Sequence, residues 1–276
     1  MRTISRETLP ARLTPRALDS HKGDFGSVGI LGGAPGMAGA ILLAARAALY
    51  CGAGRVYVGA LDERLTVDTV CPELMIVPAE ALPALPHPAC LIAGPGMGDS
   101  NGARRVLAQA LKVEHALLLD ADALNLIAGD GELLVMLQAR TAATLLTPHP
   151  GEAARLLGVS NREIQSDRNA AIQRLVALTG ATSILKGQAT LVQHPGQPIW
   201  RNTSGNPAMA TPGMGDVLTG IIAALIAQGM AIEHAAVLGV WLHGQAGDAA
   251  LEASGGCVAL TASEVSQFAR QFLARS

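Results

Sequence analysis

The sequence predicts an α/β protein with a mostly parallel central sheet, helices on both of its faces, and an antiparallel flap at one edge. Three observations carry this. Short apolar runs of strand length alternate with longer helix-patterned segments, and strand–helix–strand repetition builds parallel sheets. The strand runs are continuously apolar instead of alternating, as expected when helices cover both sheet faces. The exception is 182–202, TSILKGQATLVQHPGQPIWRN, where three strand-like pieces are joined by Lys-Gly-Gln and His-Pro-Gly-Gln turns with no helix between them. Pieces connected that tightly pair antiparallel.

In chain order, strands are expected at 27–31 (SVGIL), 55–58 (RVYV), 90–93 (CLIA), 116–119 (ALLL), 143–146 (ATLL) and 183–186 (SILK). Helical patterns fall between them at 38–51, 101–111, 151–157 and 161–178. The helix from 161 opens with Ser160 and Glu163 in capping-box spacing, and Thr261 with Glu264 repeats that signature near the C-terminus. Two long helical segments, 214–228 and 232–252, follow the flap. No linker or low-complexity tract divides the 276 residues, so a single domain over 1–276 is expected.

Composition narrows the function. Half of the residues are hydrophobic, ample for a buried core, while 15% are charged and the formal net charge is −2. Nothing in that balance suits a polyanion, so no nucleic-acid partner is expected. Lysine is confined to Lys22, Lys112 and Lys186. The apolar run 217–232 is stopped by Asp216 and Glu233 and interrupted by Thr219, Gly220, Gln228 and Gly229. A spanning helix needs roughly 20 mostly apolar residues, so this run reads as a buried helix and no membrane association is expected. The N-terminal stretch has no apolar core and carries Glu7, against a secretory signal. Cys51, Cys71, Cys90 and Cys257 form no CxxC pair, which argues against structural zinc or a disulfide framework and for reduced thiols in the cytoplasm.

Three glycine clusters sit where strands give way to helices: LGGAPGMAGA (31–40), AGPGMGDS (93–100) and TPGMGD (211–216). Glycine at such a junction frees backbone N–H groups to face a ligand, and the helix dipole favours an anion there. Any one cluster alone reads better as a tight turn, but three together favour phosphate or carboxylate binding. In an open α/β sheet they converge at the carboxyl ends of the strands. No Gly-Lys dipeptide exists for a Walker A loop, and GPGMGD has aspartate where GxGxxG needs its third glycine. Asp216 lies beside the third cluster. It is either a helix N-cap or a general base that takes a proton from a hydroxyl while the amides of Gly213, Met214 and Gly215 hold the phosphoryl being transferred.

Six segments in order, HKGDFGSVGILGGAPGMAGA, AGPGMG, LLDADALNLIA, LLTPHPGEAARLLG, ILKGQATLV and NPAMATPGMGDVLTG, resemble the ADP-dependent NAD(P)H-hydrate dehydratases of the ribokinase-like superfamily. The resemblance runs from Lys22 to Phe272. It implies a three-layer αβα fold and a nicotinamide-cofactor repair enzyme. Such an enzyme phosphorylates the C6 hydroxyl of hydrated NADH or NADPH with ADP or ATP, and the phosphate then leaves to restore the ring. By this resemblance Asp216 is the base, Gly213 and Gly215 form the anion hole, and Lys186, Gly187, Gln188, Ala189 and Thr190, with Gly215, bind the adenine nucleotide. Ala40, Gly96, Gly98 and His149, with Asp216, face the hydrated dinucleotide. His149 stands out because Pro148 and Pro150 flank it within the matching TPHPGE segment. The other six histidines, His21, His87, His115, His194, His234 and His243, read as structural. Asp120, Asp122 and Asn125 are open between ligand contact and helix capping, and Lys22 between an anion contact and a solvated surface position.

Relatives often carry glycine and serine where this chain has Pro212 and Met214, and Pro212 removes one N–H donor. Mg2+ is expected with the nucleotide phosphates, held by them and by water rather than by protein ligands. A homotetramer is the family habit. Only about two dozen residues precede the matched region, far fewer than a domain, so a dehydratase paired with a separate NAD(P)H-hydrate epimerase is expected. The alternatives are a ribokinase-like kinase of a thiazole or pyrimidine alcohol, and a nucleotide-binding regulatory module without turnover.

Overall fold

The inner strands of the sheet are buried along most of their length because apolar side chains leave them on both faces, while the edge strands at either end are more exposed. The computed structural model describes residues 1–13, 15–85 and 88–273; His87 lies outside them. In chain order the elements are β1 (Arg2–Thr3), β2 (Ser27–Gly32), α1 (Ala38–Tyr50), β3 (Arg55–Ala60), β4 (Met75–Pro78), β5 (Cys90–Ala93), α2 (Asn101–Ala110), β6 (Ala116–Leu119), α3 (Asp122–Ala128) and α4 (Gly131–Gln138). They continue as β7 (Thr144–Leu146), α5 (Pro150–Leu157), α6 (Asn161–Ser166), α7 (Arg168–Thr179), β8 (Thr182–Leu185), β9 (Leu191–Gln193), β10 (Trp200–Arg201), α8 (Met214–Ala227), α9 (Ile232–Ala253) and α10 (Ala262–Leu273).

The strands form one sheet in the order β1-β10-β9-β8-β7-β6-β5-β2-β3-β4. From β4 to β8 all neighbours are parallel. The flap is antiparallel, β8 against β9 and β9 against β10, as its turn chemistry predicts. Successive strand residues serve opposite faces. Cys90, Ile92, Leu118, Leu145 and Ile184 pack with α1, α8, α9 and α10. Leu91, Ala93, Leu117, Leu119, Leu146 and Leu185 pack with the helices from α2 to α7. Two cores on one sheet give the three-layer arrangement that the resemblance implies. α8 is the most enclosed helix, with twelve buried residues from Met214 to Ala227, and no helix among the described residues is long and apolar enough to cross a membrane.

The structure corrects the sequence reading in places. The helix expected over 161–178 is two helices, because Asp167 adopts a non-helical conformation (φ −145°, ψ 84°) that ends α6. The Asp167 side chain then accepts from the Ala170 N–H at 2.9 Å and starts α7. This is the ordinary competition of a short carboxylate with helix backbone bonds. β4, α3 and α4 are additional elements. β1 is also additional, and it pairs parallel with β10 to cover the flap's outer edge, which would otherwise expose unpaired backbone groups.

Candidate active site

The strand order places β2 between β3 and β4 on one side and β5, β6, β7 and β8 on the other. The chain's direction of progress across the sheet therefore reverses between β2 and β5, where open α/β sheets form their crevice. Backbone bonds continue past the strand ends and draw the following loops into a row. Gly94 N–H reaches Leu31 O, Asp120 N–H reaches Ala93 O, Thr147 N–H reaches Leu119 O and Lys186 N–H reaches Pro148 O.

The first two glycine clusters are sewn to each other. Gly33 N–H and Ala34 N–H donate to the carbonyls of Pro95 and Gly96 at 3.0 and 2.7 Å. A Cβ on Gly32 would collide with the Pro95 carbonyl, so close approach of two backbones requires glycine there. The Gly98 N–H donates to Asp122 Oδ2 at 2.8 Å. Most of these amides therefore hold the crevice together instead of facing a ligand. The third cluster differs. Gly213 is the N-cap of α8 in the left-handed region (φ 90°), and the first-turn N–H groups of Met214, Gly215 and Asp216 find no acceptor among the described residues. An open helix N-terminus of this length attracts an anion.

Asp216 is not the N-cap; Gly213 is, and glycine has no side chain with which to cap that end. The carboxylate lies in the first turn among other charges. Lys186 Nζ contacts Asp120 Oδ1 at 2.7 Å and Glu152 Oε2 at 4.0 Å, and a Cβ on Gly215 would lie 3.0 Å from that ammonium and 3.5 Å from Asp120 Oδ2. Asp120 and Glu152 are buried. Burial first, then the Asp120 carboxylate, pushes Asp216 up to about 7, with Lys186 opposing. Burial likewise pushes Glu152 up to about 7, again against Lys186. Burial also works against the Lys186 ammonium, but Asp120 and Glu152 hold its pKa above the ordinary value. One cation thus serves several carboxylates, and a proton is readily exchanged near neutrality.

A cavity of about 720 Å³ opens beside this cluster, lined by Lys186, Gly187, Gln188, Ala189, Thr190 and Gly215 among others. All five residues of the KGQAT turn and one anion-hole glycine thus share one space. Lys186 and Gly215 belong both to its wall and to the carboxylate cluster, so they mark the junction between them. Asp216, His149, Ala40, Gly96 and Gly98 are not part of that wall. Ala40 and Gly96 adjoin, since a Cβ on Gly96 would lie 3.2 Å from that of Ala40.

His149 caps α5, and its Nδ1 accepts from Gly151 N–H at 2.9 Å while the Glu152 carboxylate returns to the His149 N–H at 2.7 Å. Half of the ring remains exposed, and burial, then Lys186, lowers its pKa. Asn125 Oδ1 is taken by Arg155 at 2.9 Å, which ties α3 to α5, and Asp122 by Gly98, which ties α3 to the second glycine loop. Lys22 is exposed in a short turn before β2. That is the amino end of the sheet, away from the glycine loops, which fits the solvated surface position of the two readings for Lys22.

Two residues were not singled out by the sequence. Glu152 is the third carboxylate around Lys186, and only its place in TPHPGE pointed to it. His243, read as structural, lines the cavity. Its Nε2 has no hydrogen-bond partner among the described residues, and burial first, then Lys186, pushes its pKa down to about 4. No local signal in the WLHGQ stretch distinguishes it from a core histidine.

The chain is similar to known proteins in both sequence and fold. The Carb_kinase model, described as NAD(P)H-hydrate dehydratase, matches residues 28–269. The chain is 44% identical over 261 residues to the ADP-dependent (S)-NAD(P)H-hydrate dehydratase of Neisseria meningitidis, covering 92% of this chain and 87% of that one. A ribokinase-like superfamily protein from Enterococcus faecalis superposes with a TM-score of 0.83 at 31% identity, over 99% of this chain and 95% of that one. The ADP/ATP-dependent NAD(P)H-hydrate dehydratase of Bacillus subtilis, co-crystallised with ATP/Mg2+, superposes with a TM-score of 0.84 at 28% identity, over 99% and 98%. The chain spans about half the length of the bifunctional NAD(P)H-hydrate repair enzymes that it also matches. The fold is ribokinase-like, and the chain belongs to the NAD(P)H-hydrate dehydratase family.

Proposed function

We propose that this protein is a lyase that uses ADP to dehydrate the S-epimer of hydrated NADH or NADPH, restoring NAD(P)H and releasing AMP and phosphate. The observation that carries it is the junction at Lys186 and Gly215, where the nucleotide cavity meets a carboxylate cluster containing Asp216.

The chemistry follows from that junction. The C6 hydroxyl of the hydrate attacks the terminal phosphorus of ADP, its proton passes to Asp216, and AMP leaves as the new O–P bond forms. The open amides at the start of α8, with the Gly213 turn and Gly215, receive the charge that builds on the phosphoryl oxygens. Hydroxide is a poor leaving group and phosphate a good one. The ring nitrogen then pushes its electron pair toward C6, the C6–O bond breaks, phosphate departs, and loss of a proton from C5 returns the double bond.

The KGQAT turn, Lys186 to Thr190, holds the nucleotide. Ala40, Gly96 and His149 face the hydrated dinucleotide, and Gly98 shapes that side through its bond to Asp122. Mg2+ would neutralise phosphate charge when bound. Among the described residues no group of three or more His, Cys, Asp or Glu side chains could hold a metal, so the donor set fits an ion carried by phosphates and water. A single domain, a cytoplasmic location, a homotetramer and a functional partnership with a separate epimerase complete the reading.

The test is direct. Hydrated NADH incubated with the protein, ADP and Mg2+ should regain the absorbance of reduced nicotinamide with one AMP released per cofactor repaired. Accumulation of a stable phosphorylated hydrate would instead support a kinase, and no change with either ADP or ATP would leave only a binding module.

A further inference from the structure

The KGQAT turn carries little support of its own. Thr190 Oγ1 donates to the Gly187 carbonyl at 2.9 Å, and Asn202 N–H donates to the Thr190 carbonyl at 2.9 Å. Gly187 and Ala189 both sit at positive φ, 125° and 53°, so the turn is held in a conformation that the chain does not favour by itself.

A side chain from another layer holds it from behind. Arg168, the first residue of α7, donates from Nη2 to the Leu185 carbonyl at 3.0 Å and the Lys186 carbonyl at 3.2 Å. Its Nη1 reaches Gln165 Oε1 at 3.4 Å. A Cβ on Gly187 would lie 3.3 Å from Nη1 and 3.6 Å from Nη2, so the turn and the guanidinium are fitted to each other. No carboxylate pairs with Arg168 among the described residues, and burial lowers its pKa. A half-buried cation without an acid is held at a cost.

We propose that Arg168 is a positioning residue for the nucleotide, fixing the Lys186–Gly187 peptide so that the Gly187 N–H faces the phosphates. The Lys186 carbonyl and the Gly187 N–H belong to the same peptide unit. A cation on that carbonyl polarises the unit and makes its N–H a stronger donor. The Lys186 N–H, by contrast, already donates to Pro148 O at 2.9 Å, which leaves Gly187 as the first free donor of the turn. The break between α6 and α7 at Asp167 is what brings Arg168 to this spot. An anion in the cavity would also offset the unpaired charge behind the turn.

This inference rests on the nucleotide reading of the KGQAT turn, and the experiment separates the two. ADP affinity is measured by calorimetry, and steady-state kinetics are run with each substrate varied, for wild type, Arg168→Gln and Arg168→Lys. The expected result is a roughly tenfold weaker ADP Kd and higher nucleotide KM in Arg168→Gln, with kcat and the KM for hydrate within about twofold. Arg168→Lys should recover part of the loss, because an ammonium keeps the charge that meets the two carbonyls through one nitrogen but loses the second nitrogen that reaches Gln165. The lysine variant carries the test alone if the glutamine variant fails to fold. Wild-type ADP affinity in the variants, or equal losses for both substrates with a lowered Tm, would overturn the proposal and leave Arg168 as a packing residue. A wild-type protein that binds no ADP would remove the nucleotide reading and this proposal with it.

Discussion

Two ion pairs with the same 2.7 Å contact, Arg46–Asp68 and Lys186–Asp120, are built to different ends. Arg46 grips Asp68 with two parallel bonds of 2.7 Å, and the remaining capacity of Asp68 is met by the Val70 N–H at 3.0 Å. The guanidinium holds Asp68 below the usual carboxylate range, and hydrogen bonding to Asp68 raises Arg46. One acid meets one base and nothing is left over. Lys186 gives a single ammonium to Asp120, shares it with Glu152, and leaves Asp216 up at about 7. The balanced pair is what stability asks for. The unbalanced one holds negative charge that the folded chain does not neutralise by itself, beside a helix end that attracts anions. The difference lies in the stoichiometry of charge, not in the length of the contact.

The comparison is broken most severely by removing the excess carboxylate. Asp216→Asn should lower turnover by on the order of 10³-fold, the usual scale for losing a general base, while ADP still binds by calorimetry. The same change removes an acid whose ionisation is disfavoured in the folded state, so the variant should melt at or slightly above the wild-type temperature at pH 8. Full turnover in Asp216→Asn would refute the assignment of the base.

Lys186→Met should come next, with turnover down about 10²-fold and nucleotide KM raised, because the amide-lined pocket loses its fixed charge. Asp120 and Glu152 would then sit buried without a cation, so stability should fall, most at alkaline pH where both carboxylates ionise. Kinetics and melting curves at pH 6 and pH 8 check both parts. A variant as active at pH 8 as wild type would mean that Lys186 is only a buried strut.

Asp68→Asn strikes the balanced pair and sharpens the contrast. Arg46 loses its partner in a mostly buried setting, so unfolding free energy should drop by about 2 kcal/mol, below the usual cost of breaking a fully buried pair because Arg46 keeps some solvent contact. Denaturant titration measures it. Both KM values and kcat should stay within about twofold below the melting transition. A selective loss of turnover without loss of stability would erase the distinction drawn between the two pairs.

What could be read from sequence follows the same line between local and distant causes. The layers were legible because continuous apolar runs such as ALLL and CLIA have one physical explanation, burial on both faces. The flap was legible because its turn residues allow no helix. β4 was not, since MIVP ends in proline and lies in a stretch with no period, and the α6–α7 break hid within a helical pattern. At the site, Asp216 could be picked out because carboxylate, glycine turn and helix start are neighbours in the chain. Lys186 and Asp120 are 66 residues apart, and no local pattern announces that they meet. The same holds for Arg168 behind the KGQAT turn, and for Gly98, whose N–H looked free until Asp122 was seen to occupy it.

The smallest effect expected is a shift in pH dependence. Asp216 must be ionised to take a proton, so kcat/KM should fall as pH drops through about 7, the value to which burial and Asp120 push it. Glu152 contributes to that rise as a negative neighbour, so Glu152→Gln should move the acidic limb down by less than about one pH unit. Lys186 acts in the opposite direction, and the residual activity of Lys186→Met should show a limb moved up. For stability the sign is reversed. Raised carboxylates bind protons more tightly folded than unfolded, so their contribution is full below about pH 4 and is lost as pH rises through about 7. Glu152→Gln should therefore flatten the decline in Tm between pH 5 and 8. Because the carboxylates share one ammonium, the limb belongs to the cluster as a whole. A limb that stays in place, or moves up, in Glu152→Gln would show that Glu152 does not face the same charge balance as Asp216, and would reduce the coupled cluster to Lys186, Asp120 and Asp216.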